Sequence, residues 1–499
     1  MKYIVTSQKM KQMDQKMIEE IGVPSLVLME RAALGVTGWL FQKHNVEKCL
    51  IVVGTGNNGA DGLAVARQLL ERNKNPEIYI CGTVDKGTKE FKIQYEILKN
   101  LNATFLARLE EKEYTVIVDG IFGVGLSRKV EGIYKEAISF INSNICPIVS
   151  IDVPSGIDGT TGKMYGCAVK ANETITFGFW KRGLLFLDGI LCAGQVILEG
   201  AGFHESELFE KEKESFFLEE KDLTTILPKR SQLGNKGSFG KVLVIAGGED
   251  MGGAAFLSAY AAYKSGCGMV KVCTGEKNRT SLMSLLPEVL LSTWKTEEEG
   301  VSLVKDQLEW ADVVVFGSGM GQTKLTEQLT THLLEHCSKP LVIDADGLNM
   351  LSKQMEQLKK RQYPCILTPH LMEFSRLIHK PLQEWKENVW EEVEQFVENY
   401  PVICVAKDAR TIVAKKGETA YINRSGNSGM ATAGSGDVLA GMIGGFLAQG
   451  VEPRMAAILG VYVHGLCGDY GKKALGEYSL MAKNMIEYLP YVLGGKTNE

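Results

Sequence analysis

NSGMATAGSGDVLAG, residues 427–441, is the stretch on which the reading of the chain turns. Small residues fill Ala431 to Gly436, and an apolar, helix-forming run begins at Val438. Gly434 and Gly436 bracket Ser435, so the backbone can turn sharply with its amides uncovered. Those amides open a helix whose first-turn N–H groups lack internal partners and whose dipole favours negative charge. One carboxylate, Asp437, stands beside them. An anion hole with an acid next to it suits transfer of a phosphoryl group onto a hydroxyl: the amides hold the developing charge and the acid takes the proton. An Asp at such a place also serves simply as a helix cap. On these residues alone both readings stand.

Working outward, short apolar runs alternate with helical patterns on both sides. Towards the N-terminus of this stretch lie KVLVIAGG, MVKVCTG, ADVVVFGSGMG, KPLVIDADGLNML, CILTPHLMEF and PVICVAKDA. Helices are expected at 254–265 and 384–400. Such alternation predicts an α/β unit with a mostly parallel central sheet and ligands at its carboxyl edge. Further upstream the same rhythm recurs. A helix with Met10, Met13, Met17, Ile18 and Ile21 at helical spacing ends at Gly22 and Pro24, and a second spans 25–42. The strand CLIVVG then runs into Gly54–Gly62, GTGNNGADG, with a helix expected from Leu63. The spacing satisfies G-x-G-x-x-G between strand and helix, the setting of a phosphate at a helix N-terminus. Asn57, Asn58 and Asp61 add oxygens suited to a hard cation or a ribose. Asp119 and Asp152 each end a later strand, and Ser155 follows in a turn. Asn58, Asp119, Asp152 and Ser155 therefore converge on one sheet edge.

The formal net charge of −5 gives no reason to expect nucleic acid or an anionic membrane as partner. Eleven cysteines are scattered singly, without C-x-x-C pairs or zinc-ligand spacing, as expected of reduced thiols. No apolar run approaches the ~18 residues of a spanning helix, and MKYIVTSQKMKQ lacks a signal-peptide core. A cytoplasmic protein is expected. At 204–221 the chain is charge-rich and the alternation lapses, which places a linker near Glu210–Ser215, or else an exposed terminal helix of the first domain.

GTGNNGADG, VDGIFGVG and SIDVPSGIDG resemble the N-terminal domain of the NAD(P)H-hydrate epimerases over about residues 7–210. The resemblance implies that Asn57, Asn58, Gly59, Ala60 and Asp61 contact the damaged dinucleotide, together with Gly123, Val124, Gly125, Leu126, Ser127, Arg128 and Lys129. It implies K⁺ on Asn58, Asp119 and Ser155, and Asp152 against the hydrated nicotinamide ring. Ala60 departs from the family's usual glycine. LPKR, NKGSFGKV, IDADGLN, LTPHLMEF, AKDART and the opening stretch resemble the ribokinase-like superfamily, and within it the ADP-dependent NAD(P)H-hydrate dehydratases, over about 216–493. That likeness implies Ala254, Gly319, His370 and Asp437 at the hydrated dinucleotide. It implies Lys407, Asp408, Ala409, Arg410, Thr411 and Gly436 at the adenine nucleotide, with Mg²⁺ on its phosphates. Asp408 replaces the family's common glycine and is expected to face outward. His370 after Thr-Pro would, on chemistry alone, be structural.

The expected fold class is thus α/β: a Rossmann-like three-layer αβα domain at 1–211, then a ribokinase-like α/β domain at 216–499. The implied activity is bifunctional. One domain epimerises R and S NAD(P)H-hydrate with Asp152 as proton-transfer group. The other dehydrates the S form with ADP, Asp437 acting as base, and releases AMP and phosphate. A homo-oligomer binding only small molecules is expected. The alternative is a ribokinase-like small-molecule kinase with an N-terminal nucleotide-binding or dimerisation module.

Overall fold

The short apolar runs become buried strands because helices cover both faces of each sheet. The computed structural model describes residues 1–203 and 215–494. The chain divides into two compact units, Lys2–Ser215 and, with Met1, Phe216–Glu499. Apart from Ser215, the linker expected at Glu210–Ser215 lies outside the described residues. No helix among the described residues is long and apolar enough to cross a membrane.

In the N-terminal unit, seven strands form one parallel sheet: β1 Cys49–Val53, β2 Glu77–Ile80, β3 Thr104–Leu106, β4 Val116–Gly120, β5 Ile148–Ile151, β6 Glu173–Phe177 and β7 Gln195–Glu199. Their order is β3-β2-β1-β4-β5-β6-β7, the doubly wound arrangement with its switch point between β1 and β4. Alternation along β1 builds the layers. Ile51 and Val53 point into one core with helices α2 (Ser25–Lys43), α3 (Asn57–Glu71) and α4 (Lys89–Asn100). Leu50 and Val52 point into the other with α5 (Ile133–Ser143). Before these, α1 (Ser7–Glu19) buries Met10, Met13 and Met17, whereas Ile18 and Ile21 of the expected stripe are exposed.

The first helix after β1 begins at Asn57, six residues earlier than the periodicity predicts. The glycines and asparagines that read as loop are its first turn. Gly56 caps it in extended conformation, and a Cβ on Gly59 would sit 1.8 Å from the Gly54 carbonyl oxygen. Only glycine allows that closure.

In the C-terminal unit the strands are β8 Lys241–Ile245, β9 Met269–Gly275, β10 Leu290–Trp294, β11 Val313–Phe316, β12 Leu341–Ile343, β13 Cys365–Leu367, β14 Ile403–Ala406, β15 Ile412–Lys415 and β16 Ala420–Ile422. Their order is β10-β9-β8-β11-β12-β13-β14-β15-β16. Pairing is parallel as far as β14 and antiparallel through β15 and β16. Four helices matter to the site: α6 Gly252–Lys264, α7 Leu371–Leu377, α8 Ser435–Ala448 and α9 Pro453–Leu475. Helix α8 is buried from Val438 to Leu447, which explains its unbroken apolar run. A Cβ on Gly441 would fall 2.1 Å from the Ser258 carbonyl oxygen of α6, so the two helices pack backbone to backbone. The helix expected at 384–400 is two, Leu382–Trp385 and Val389–Asn399. Trp385 is buried and its indole N–H donates to Ser375 Oγ and the Lys380 carbonyl, which fixes a turn before the second begins.

Two candidate active sites

The N-terminal unit holds a cavity of about 730 Å³. Asn57, Asn58 and Asp61 from the first turns of α3 line it, with Gly123–Arg128 from the loop after β4 and Asp152 after β5. Gly59 and Ala60 are buried and are not among the lining residues; nor is Lys129, which is exposed and 3.4 Å from Glu131. Asp152 adopts φ 67°, a left-handed conformation that costs energy for a non-glycine residue and turns its side chain into the site. Its Oδ1 lies 2.6 Å from Lys181 Nζ and accepts from Thr176 Oγ1 at 3.2 Å. Lys181 is 1% exposed and also donates to the Phe177 carbonyl at 2.6 Å. Asp14, on α1, completes the cluster. Burial pushes its carboxyl up to about 6, with Lys181 opposing and Asp152 adding to the rise. Burial likewise holds Asp61 well above the usual carboxylate range.

Asp119 and Ser155 sit beneath the cavity, both fully buried. Asp119 accepts from Ser155 Oγ at 2.5 Å, Ser150 Oγ at 2.8 Å and the amides of Ser155 and Ile121. Every one of these donors is neutral. Burial raises the Asp119 carboxyl against them. A buried carboxylate surrounded only by neutral donors calls for a compensating positive charge. Asn58 presents a buried amide nitrogen without a hydrogen-bond partner. Turning that amide over would place its oxygen there instead. Carboxylate, hydroxyl and amide oxygens together suit a monovalent hard cation. Among the described residues, no group of three His, Cys, Asp or Glu would hold a transition metal.

In the C-terminal unit the site forms at the carboxyl ends of β11 to β14 and the start of α8. Gly434, at φ 89°, turns the chain into α8 and puts Asp437 in its first turn. The Ser435 amide donates to the Thr432 carbonyl at 3.3 Å. Among the described residues, the amides of Gly436 and Asp437 have no backbone partner outside the helix, which leaves them open to an anion. Ser435 Oγ lies 3.3 Å from His464 Nε2 on α9, and burial pushes that imidazole down to about 4, so it is neutral. Burial pushes Asp437 up to about 6; Asp344 adds to the rise, while Ser318 and Lys407 oppose it.

Lys407, just past β14, pairs with Asp344 at 2.8 Å and lies 4.0 Å from Glu373. It is therefore less free than a plain phosphate-binding lysine. Gly436 admits this pair: a Cβ there would stand 3.2 Å from Lys407 Nζ. Burial pushes Glu373 up to about 7 despite Lys407. His370 caps α7, its Nδ1 accepting from the amides of Met372 and Glu373, which places the imidazole proton on Nε2. Burial, then the Lys407 charge, hold it below the usual histidine range. The cap makes His370 structural, and its Nε2 lies 3.3 Å from Glu373 Oε1. Gly319, φ 62°, abuts Ala254: a Cβ on it would lie 2.8 Å from the Ala254 methyl. Asp408 and Ala409 are exposed, so Asp408 faces outward as expected; Arg410 is half-buried and Thr411 buried.

Asp14, Lys181, Asp344, Glu373 and Ser318 escaped assignment from sequence. Asp344 ends an apolar run, as Asp119 and Asp152 do, and that signal was available. Asp14 lies inside a methionine stripe and Lys181 inside GFWKRG, where no spacing marks them.

Comparison with known proteins fits this geometry. Residues 242–491 match the family described as NAD(P)H-hydrate dehydratase, and 25–183 match the YjeF-related protein N-terminus. The bifunctional NAD(P)H-hydrate repair enzyme Nnr of Moorella thermoacetica is 32% identical over 98% of this chain and 96% of its own length. That of Escherichia coli is 30% identical over 90% and 86%. Among solved structures, a ribokinase-like superfamily protein of Enterococcus faecalis is similar at a TM-score of 0.51, with 31% identity over 58% of this chain and 99% of that one. An ADP/ATP-dependent NAD(P)H-hydrate dehydratase of Bacillus subtilis, co-crystallised with ATP and Mg²⁺, gives 0.50 with 28% identity over 56% and 98%.

Proposed function

Since the chain belongs to the family of bifunctional NAD(P)H-hydrate repair enzymes, with an epimerase and a dehydratase domain, we propose that the two sites divide the work as follows. Hydration leaves a hydroxyl on C6 of the nicotinamide ring, and hydroxide is a poor leaving group. In the C-terminal site Asp437 takes the hydroxyl proton as the oxygen attacks the β-phosphorus of ADP. The Gly434, Gly436 and Asp437 amides stabilise the charge on the transferring group, and AMP leaves. The N1 lone pair then expels phosphate from C6, and loss of a C5 proton restores the dihydronicotinamide. Ala254, Gly319 and His370 shape the ring pocket. Lys407 to Thr411 and Gly436 hold the adenine nucleotide, with Lys407 shared between Asp344 and phosphate. A Mg²⁺ ion would be held mainly by the nucleotide's phosphates and water and would offset their charge.

Only the S hydroxyl reaches Asp437. The N-terminal cavity interconverts R and S, with Asp152 as proton-transfer group and Lys181 keeping it in place. Asn57, Asn58, Asp61 and the 123–128 loop hold the dinucleotide. Asn58, Asp119 and Ser155 would hold K⁺, which would balance the buried Asp119 charge.

The observation that carries the reading is Asp437 itself: a carboxyl raised to about 6 beside unpartnered helix amides. The test is pure S-hydrate with ADP and Mg²⁺, followed by reduced-nicotinamide absorbance and phosphorus NMR. Equal yields of dihydronicotinamide, AMP and phosphate are expected. Dihydronicotinamide formed without nucleotide cleavage would refute it.

A further inference from the structure

Carrying the C6 hydroxyl from one face of the ring to the other takes two proton transfers. The C6–O bond breaks with its electron pair on oxygen, which gains a proton and departs as water, while the N1 lone pair makes the N1=C6 bond. Water then adds to C6 from the other face and gives up a proton, and the N1=C6 pair returns to N1. One group must donate and another accept. Asp152 supplies one, and a single residue held by a buried lysine cannot conveniently serve both faces.

Asp14, Asp61, Asp152 and Lys181 all line the cavity, and they reach it from separate elements: α1, α3, the turn after β5 and the short strand Trp180–Lys181. Lys181 is committed to Asp152 at 2.6 Å. Asp14 stands on α1, ahead of the segment 25–183 matched by the family model, and approaches from a different direction than the strand ends. We propose that Asp14 is the second proton-transfer group of the epimerisation, working with Asp152 across the same cavity. R-to-S turnover carries a proton from Asp14 to Asp152; S-to-R turnover or water in the cavity returns it. Asp14 is suited to this because burial holds its carboxyl near 6, Lys181 opposing and Asp152 adding to the rise. Asp61 adds negative charge from α3, and Lys11, Glu90 and Arg128 are the other charged residues of the lining.

This inference rests on the cavity being the epimerase site. The test uses full-length protein and R-hydrate, measuring conversion to S from pH 5 to 9. Wild-type rate is expected to fall as pH rises above about 6. Asp14→Asn should lower the rate about 100-fold or more with KM little changed, flatten that limb, and leave dehydration of pure S-hydrate intact. Asp14→Glu should retain rate with the limb displaced. An Asp14→Asn enzyme as fast as wild type, or a slowed one with the same pH limb, overturns the role of Asp14. If Asp14→Asn unfolds the unit, Asp14→Glu decides: an unmoved limb overturns it. Wild-type protein that fails to epimerise would instead overturn the reading of the cavity.

Discussion

The two sheets run in the same strand order as far as their seventh strands, and both collect functional side chains at the carboxyl ends of parallel strands. They differ in what stands opposite those strand ends. In the N-terminal unit, carboxyls from α1, α3 and the turn after β5 meet around one lysine committed to Asp152. Such a cluster can give and take protons. In the C-terminal unit, one lysine again serves several acids, Asp344 and Glu373 directly, but α8 adds open amides beside Asp437. A shared scaffold thus supports reversible proton chemistry in one place and driven group transfer in the other. The difference lies in what partners the acid: a buried lysine beside Asp152, and the open first-turn amides of its own helix beside Asp437.

That contrast can be broken one side at a time. Asp437→Asn should lower dehydration by about 1,000-fold or more while epimerisation stays within about twofold of wild type, as read with pure epimers. Asp152→Asn should reverse the pattern, with R-to-S conversion lost by about 100-fold or more and pure S-hydrate still repaired. Lys181→Met leaves Asp152 buried and unpaired; we expect the N-terminal unit to lose about 3–5 kcal/mol in chemical denaturation, a loss the isosteric charge removal Asp152→Asn would partly rescue in the double variant. The pH dependence sharpens the comparison further. With Asp437 as the proposed base and Asp14 as the proposed acid, dehydration should rise with pH through about 6, whereas epimerisation should fall above about 6. Parallel profiles for the two activities would argue against separate proton groups.

A smaller effect concerns stability. The folded Asp437 carboxyl lies above its ordinary value of 3.8, so its ionised form opposes folding, and this contribution worsens as pH rises from there through about 6. Asp437→Asn should therefore raise stability at neutral pH, on the order of 1 kcal/mol, and the gain should vanish in acid.

Much of this was legible in the sequence, for reasons that particular residues make plain. Strands buried on both faces read as unbroken apolar runs, so CLIVV and KVLVI are recognisable as strands, and the acids ending such runs mark Asp119 and Asp152. Gly434 and Gly436 announced a turn into a helix. The start of α3 was misplaced because Asn57–Gly62 carry turn-forming residues, yet the close approach to Gly54 makes them helical. Tertiary packing of Trp385 likewise split a helix that periodicity joined. Asp14 and Lys181 were invisible because a pocket assembled from distant segments leaves no local spacing. The resemblance implies His370 at the hydrated dinucleotide and its chemistry alone implies a structural role; which structural role, the cap of α7, shows only in the backbone amides around Nδ1.

The most direct test of two independent sites on one chain is complementation. R-hydrate and ADP are given to the Asp437→Asn protein, to the Asp152→Asn protein, and to a mixture of the two, with reduced-nicotinamide absorbance as the readout. Neither variant alone should restore absorbance quickly, because one stops at the S epimer and the other never leaves R. The mixture should recover it fully. If the mixture remains as slow as the separate variants while both proteins stay folded, the division of labour proposed for Asp152 and Asp437 is wrong.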